Sequence, residues 1–407
     1  MEQALYKLPD GWEWRTIEEA AQIGADRGFA PTPDSEGNVP FIGMTDIDQE
    51  TGQKSTYELR NFDDVKKGYT KFQRNAVLFA KITPCTENNK TALIANVEGG
   101  FATTEVFPIH ALDSVEPKYL LHFFRSPSVR RFLIDQMEGA TGRQRVPLKA
   151  LKNVSVPVCK LREQKRIVEK LDALLSRIDT AVEHLQESVA LADALFESSQ
   201  SEIFNDVLSN YQHSTIDEIC IVTSSKRIFK ADYVESGIPF YRTKEIVDLS
   251  KDKNISTELF IDKEKFSEIC GKFGAPKKGD LLFSAVGTIG VMWIVDEREF
   301  YFKDGNLLWL KDMNGVTPEY LKSAISAVLT EKIKDRSQGA AYKAISITNL
   351  KAFEIPLPSI EEQKSIVAKI EHVSSVTKKT KQELSLQIND LHNLKASILD
   401  SAFKGEL

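Results

Sequence analysis

Residues 161–171 read LREQKRIVEKL, and residues 360–370 read IEEQKSIVAKI. Glu163-Gln164-Lys165, Ile167-Val168 and Lys170 return as Glu362-Gln363-Lys364, Ile366-Val367 and Lys369, a constant shift of 199. From Leu161 to Asn210 there is neither Gly nor Pro. Leu171, Leu175, Ile178, Val182, Leu185, Val189, Ala192, Phe196 and Ile203 keep a three-and-four spacing, which lines one stripe of a helix and makes a coiled-coil seam. The second stretch has Ile366, Ile370, Val373, Leu384, Ile388, Leu391 and Ile398, with a weaker middle at Thr377 and Thr380. Each helix is expected to run for about 48 residues, far above the usual mean of about 11–12. At 1.5 Å per residue that is about 70 Å. Ser359 and Glu362 have capping-box spacing, and Pro356 and Pro358 discourage an earlier start.

Working outward, the repeat extends over the whole chain. Thr16-Ile17-Glu18-Glu19 returns as Thr215-Ile216-Asp217-Glu218, Pro40-Phe41 as Pro239-Phe240, and Leu78-Phe79 as Leu282-Phe283. Pro117 with Tyr119-Leu120 returns as Pro318 with Tyr320-Leu321, Gly139-Ala140 as Gly339-Ala340, and Phe204 as Phe403. The order is kept and the shift returns to 199 at both ends, which chance alignment does not give. Four segments follow: a mixed α/β domain at 1–160, a long helix at 161–210, a second mixed domain at 211–359 and a second long helix at 360–407. The apolar runs at 76–80 and 280–284 predict buried strands, and the Pro-initiated stretches 117–132 and 318–333 predict helices. The expected fold is α+β, an internal pseudo-two-fold repeat whose helices pair as an antiparallel coiled coil. Such pairing puts one globular domain at each end, an arrangement suited to bipartite DNA, where two-fold protein symmetry mirrors half-sites.

Composition narrows the class. The 407 residues are 42% hydrophobic and 28% charged, which excludes collagen-like and largely disordered chains. No apolar run is long enough for a membrane span, and the opening MEQALYK is too poor in apolar residues for a signal peptide. Cys85, Cys159, Cys220 and Cys270 are scattered, so a reducing cytoplasm is the expectation. The net charge of −6 argues weakly against nucleic acid, but the acidity is local. Residues 161–209 carry five basic and ten acidic groups. Residues 118–152 instead hold Lys118, Arg125, Arg130, Arg131, Arg143, Arg145, Lys149 and Lys152 against Asp135 and Glu138, a basic footprint.

A set of motifs carries a family resemblance. They are Leu8-Pro9-Asp10-Gly11-Trp12, Phe79-Ala80-Lys81-Ile82-Thr83-Pro84-Cys85, Leu161-Arg162-Glu163-Gln164 after Pro157, and the stretch from Pro356 to Gln363. Ser397-Ile398-Leu399 and Ala402-Phe403-Lys404-Gly405 complete the set. In this order and repeated, they resemble the specificity subunit of type I restriction–modification systems, over essentially the whole chain. The first repeat departs from the pattern with Val158-Cys159-Lys160 where the second keeps Pro-rich entry. The resemblance implies two target-recognition domains, each reading half of a bipartite site on double-stranded DNA. It also implies helices that bind two methyltransferase subunits and set the half-site spacing, with restriction or translocase subunits joining. S-adenosylmethionine, ATP and magnesium would then belong to the partners and none to this chain, and no membrane is involved.

Catalytic motifs are missing. The sequence has no Asn/Asp-Pro-Pro-aromatic loop for adenine methylation and no P-loop. Glu163-Gln164-Lys165 resembles half of a nuclease motif, but acids at a helix start are explained by the macrodipole. The six histidines have no metal-binding spacing. Candidate DNA contacts are Arg143, Gln144 and Arg145 in the loop after Gly139, with Lys149 following, and the counterpart Tyr342 and Lys343. Arginine suits either phosphate or guanine, and Gln144 suits adenine; a merely solvated loop is the bland alternative. Arg125, Arg130 and Arg131 form a helical cluster, Lys81 and Lys90 flank a loop paired with Thr288, and Lys244 is a further candidate. Arg143 and Arg145 have no twins in the second repeat, so an asymmetric target is expected. The rivals are a coiled-coil scaffold without DNA readout, and a nuclease or methylase acting alone.

Overall fold

The computed structural model describes residues 3, 6–52, 57–334 and 344–407. The chain divides into two compact units, Met1–Glu187 with Leu384–Leu407, and Ser188–Glu383.

Unit 1 contains β1 (Glu13–Thr16), β2 (Ala21–Ile23), β3 (Asn38–Ile42), β4 (Glu58–Asn61), β5 (Thr70–Gln73), β6 (Ala76–Ala80), β7 (Thr91–Ile94), β8 (Gly99–Ala102), β9 (Val106–Ala111) and β10 (Ser155–Val158). Its helices are α1 (Ile17–Ala20), α2 (Phe62–Val65), α3 (Pro117–Arg125), α4 (Pro127–Asp135) and α5 (Leu148–Lys152). One sheet is antiparallel in the order β2-β9-β6-β7. A second has the order β4-β3-β8-β5, with β3 and β8 parallel. β1 and β10 pair separately, antiparallel, with Glu13 opposite Val158. The apolar run of β6 is buried along its whole length because both faces are covered. Successive strand side chains point to opposite faces. Val77 and Phe79 accordingly join a core with Tyr119, Leu120, Phe123 and Phe124 of α3, while Ala76 and Leu78 join the core that holds Ile42 and Phe72.

Unit 2 repeats the plan. Its strands are β11 (His213–Thr215), β12 (Ile221–Thr223), β13 (Tyr233–Val234), β14 (Ile238–Tyr241), β15 (Phe260–Ile261), β16 (Leu281–Ser284), β17 (Met292–Ile294), β18 (Tyr301–Phe302), β19 (Leu307–Lys311) and β20 (Glu354–Pro356). The sheets run β12-β19-β16-β17 and β13-β15-β14-β18, with β14 and β18 parallel and β11 paired to β20. Leu281 and Phe283 of β16 face one core and Leu282 the other.

The long helices are α6 (Leu161–Asn210), 50 residues, and α12 (Ile360–Lys404), 45 residues. The Val158-Cys159-Lys160 departure leaves the start of α6 unshifted, 199 residues before that of α12. Each unit takes part of both helices. In unit 1, Arg166 Nη2 donates to the Leu407 carbonyl and Lys395 Nζ to Asp179, each at 2.6 Å. Numbers rise along one helix as they fall along the other, so the pairing is antiparallel. In unit 2, Tyr211 donates to Glu362 at 3.0 Å and Lys381 to Asp193 at 2.6 Å, again antiparallel. Of the expected seam, Leu171, Leu175, Ile178, Val182 and Ile370 are buried. Leu185, Val189, Phe196, Leu384, Ile388, Leu391 and Ile398 are half-buried, as in a two-helix contact open to water on its flanks. The Ser359–Glu362 cap forms, with Ser359 Oγ donating to Glu362 at 2.7 Å.

One expectation is corrected. The helix read across 117–132 is two helices, because Ser126 is extended (φ −65°, ψ 139°) and Pro127 opens α4. Proline supplies no N–H and pushes the residue before it out of the helical region. Its counterpart has no such proline, and α10 (Pro318–Lys334) runs unbroken in unit 2. Other α-helices among the described residues of unit 2 are α7 (Ile216–Ile219), α8 (Thr243–Leu249), α9 (Lys263–Phe273) and α11 (Ile347–Lys351).

Candidate nucleic-acid interface

In unit 1 the segment after β6 and the segment before α5 come together. Val146 N–H donates to the Lys81 carbonyl at 2.8 Å, and Thr83 N–H donates to the Gln144 carbonyl at 3.0 Å. Gln144 N–H donates to Thr83 Oγ1 at 3.1 Å. Two loops proposed separately, around Lys81 and around Arg143, therefore form one structure. The second of them is a hairpin. Glu138 and Arg145 exchange both backbone hydrogen bonds, at 2.9 and 2.8 Å, and Arg143 N–H closes a turn onto the Ala140 carbonyl at 2.9 Å. Gly142 sits third in that turn with φ +80°, the position and sign that a type II turn reserves for glycine.

The side chains on this hairpin have different surroundings. Arg145 forks onto Glu105, Nε to Oε2 at 2.9 Å and Nη2 to Oε1 at 2.7 Å. That bond holds the Glu105 carboxyl below the usual carboxylate range, and Lys81 adds to the effect. Lys81 places its ammonium 4.8 Å from the centre of the Phe107 ring. Gln144 is half-buried, while Arg143 and Lys149 are exposed. Among the described residues, no acid is paired with the Arg143 guanidinium. A docked hairpin with cationic side chains, held by backbone bonds, can meet a phosphate or a base edge with little loss of conformational freedom.

Unit 2 has the same crossing with other residues. Ile345 N–H donates to the Ala285 carbonyl at 2.9 Å, and Val286 bridges Ala344, as Ile82 bridges Arg145 in unit 1. Thr288 is exposed in the loop after β16. Tyr342 and Lys343 lie outside the described residues. Lys244, exposed on α8, lies 3.8 Å from Glu258, which also takes a 3.0 Å bond from Arg242.

Two of the candidate cations are engaged within the protein. Arg125 is buried, and its guanidinium donates to the carbonyls of Gln49, Glu50, Asn89 and Thr91 at 2.7–3.3 Å. Burial pushes its pKa down to about 10, and the ring of carbonyls gives the charge its hydrogen-bond partners. It is a structural cation that ties α3 to two loops. Lys90 is likewise engaged, donating to the Met44 and Ile47 carbonyls at 2.8 and 3.3 Å. Arg130 is half-buried and borders a cavity of about 560 Å³ with Arg125, Lys118, His122 and Asp172, whereas Arg131 is exposed on α4.

The Glu-Gln-Lys segments have a structural role. Gln164 is fully buried; its Oε1 accepts from Glu116 N–H at 2.9 Å, and its Nε2 donates to the Ser114 and Cys159 carbonyls at 2.9 and 2.7 Å. Gln363 does the same with Thr317 N–H and the Gly315 and Pro358 carbonyls, at 2.8, 2.8 and 2.9 Å. Each amide fastens a long helix to the start of α3 or α10. Glu105 is not legible as a partner of Arg145 in the sequence: it lies forty residues away on the β8–β9 turn, and no local pattern links the two. Among the described residues, no group of three or more His, Cys, Asp or Glu is set to hold a metal ion, and no helix is long and apolar enough to cross a membrane.

Comparison with known proteins gives a match to the family described as type I restriction modification DNA specificity domain, over residues 9–189 and again over 209–389. The type I restriction enzyme EcoAI specificity subunit of Escherichia coli is 35% identical over 196 residues, 47% of this chain. The matched part is 32% of that relative's own length. The EcoBI specificity subunit of Escherichia coli is 28% identical and aligns with 99% of this chain and 88% of its own. A solved structure described as the basis of complex assembly and conformational transition of the type I restriction–modification system superposes with a TM-score of 0.79. It covers 99% of this chain and all of its own at 22% identity, which is a likeness of fold.

Proposed function

Because the chain belongs to the type I restriction–modification DNA specificity family, we propose that it is the subunit through which such a complex reads its DNA target. The observation that carries this reading is the double match to the specificity domain, once in each repeat. Residues 1–160 and 211–359 each read one half of a bipartite site, and the helices at 161–210 and 360–407 bind two methyltransferase subunits and set the half-site spacing. Restriction or translocase subunits join that core in the cytoplasm. The chain itself is non-catalytic; S-adenosylmethionine, ATP and magnesium are used by the partners. Arg145 of the first crossing stands where Ala344 stands in the second, which supports unlike half-sites and an asymmetric target.

Purified alone, the chain is expected neither to methylate nor to cleave DNA. With its cognate methyltransferase it should direct methylation to one asymmetric bipartite sequence, read by sequencing methylated bases in cells carrying both genes. Turnover by the isolated chain, or methylation without a sequence preference, would overturn the reading.

A further inference from the structure

Arginine carries five N–H donors in a rigid fork, and the ones already engaged determine what the rest can reach. The Arg145–Glu105 pair uses Nε and Nη2, at 2.9 and 2.7 Å. The remaining contact is a long one, Nη1 to the Arg143 carbonyl at 3.5 Å. That contact is at the long limit of a hydrogen bond, so Nη1 and Nη2 each keep an N–H beyond those on Glu105 and on the Arg143 carbonyl. Presented end-on, the Nη1 and Nη2 donors of a guanidinium match O6 and N7 of guanine in the major groove.

Charge and rigidity point the same way. A carboxylate bonded to the guanidinium cancels much of its monopole, so the pair offers little to a phosphate. The backbone on both sides is fixed. Arg145 exchanges both bonds with Glu138, and Lys81 N–H donates to the Glu105 carbonyl at 3.0 Å. The Arg145 side chain is 47% exposed, so the pair reaches solvent and contributes little to stability. It does hold one orientation of the fork. Arg143, two residues earlier on the same hairpin, is exposed with no paired acid among the described residues and keeps its full charge.

We propose that Glu105 is a positioning residue that commits Arg145 to reading a guanine in one half-site, leaving phosphate neutralisation to Arg143. This rests on the DNA-specificity reading above.

The test uses the chain assembled with its cognate methyltransferase. The methylated sequence is first found in cells, and binding is then measured on duplexes with each base pair of the site replaced in turn, over a range of salt. Arg145→Ala should lose discrimination at one guanine by about 5- to 150-fold while leaving the salt slope nearly unchanged. Arg143→Ala should weaken all duplexes alike and flatten the slope by about 0.9. Glu105→Ala should lose discrimination at the same guanine as Arg145→Ala, with the salt slope steeper by up to about one unit as the freed cation finds phosphate. Glu105→Gln keeps one acceptor and should fall between wild type and Glu105→Ala. In the Arg145→Ala background, Glu105→Ala should change nothing further at that position. The proposal is overturned if Arg145→Ala acts on all sequences equally, or if Glu105→Ala leaves base discrimination intact. A wild-type complex without any sequence preference would sink the specificity reading instead, a result the substitution series cannot mimic.

Discussion

The Gln164 amide joins three backbone groups from two places, the turn before α3 and the end of β10, at a site from which water is excluded. Replacing it with leucine keeps the volume and removes every polar atom. Glu116 N–H and the carbonyls of Ser114 and Cys159 would then be left without partners. An unsatisfied buried group costs about 1–3 kcal/mol, so Gln164→Leu should destabilise by about 2–5 kcal/mol, measured by urea unfolding. Gln164→Glu should be no better, since it turns two donors into a charge facing carbonyl oxygens. A loss under about 1 kcal/mol for Gln164→Leu would mean that the backbone shifts or water enters to satisfy these groups. The surroundings of this residue also explain the Glu-x-Lys resemblance without nuclease chemistry. Glu163 instead pairs with Arg166 at 2.7 Å on the outer face of the helix.

At the scale of elements, the seam of α6 and α12 holds polar residues where a simple heptad asks for apolar ones. Lys395 and Lys381 are half-buried and reach Asp179 and Asp193. A charged residue at a seam position specifies register at some cost in stability. Lys381→Asp should therefore cost about 0.2–1 kcal/mol at low salt, and adding Asp193→Lys to complete the exchange should restore most of it. Thermal melts at low and at 1 M salt check this, because exposed charges are screened within about 3 Å at 1 M. Survival of the defect at high salt would point to packing instead. The same elements show what could be read without a structure. The long helices and the strands β6 and β16 announce themselves, because periodicity and a continuous apolar run are local signals. Pro127 is local too, yet the amphipathic pattern on either side of it hid the break. The surroundings of Arg125 and Lys90 are not legible in the sequence, because a cation in a basic stretch looks exposed. Only the tertiary packing gives them carbonyl partners dozens of residues away. The Glu105–Arg145 fork is a contact of this kind, and the docked hairpin that holds it is non-local as well.

The chain passes between its units only inside the long helices, at 187/188 in α6 and 383/384 in α12. If these helices set half-site spacing, then lengthening both crossings should move the half-sites apart without changing what either reads. A heptad is the suitable insert, since seven residues keep the seam in phase where four would rotate it. Placing one after Glu187 and one before Leu384 leaves the Asp179–Lys395 and Asp193–Lys381 pairs in register and gives each inserted turn a partner. Each insert adds about 10 Å of helix. At about 3.4 Å per base pair this is about three more base pairs in the gap. The insert needs apolar residues at two of its seven positions, as at Leu185 and Val189 or at Leu384 and Ile388, or the pair will part there. Methylome sequencing of cells carrying the lengthened chain and its methyltransferase reads both half-sites and the gap together. Unchanged half-sites with a gap about three base pairs wider are expected. An active variant with an unaltered gap would assign the spacing to the recognition domains or to the methyltransferase subunits, and the helices would then be an assembly surface alone.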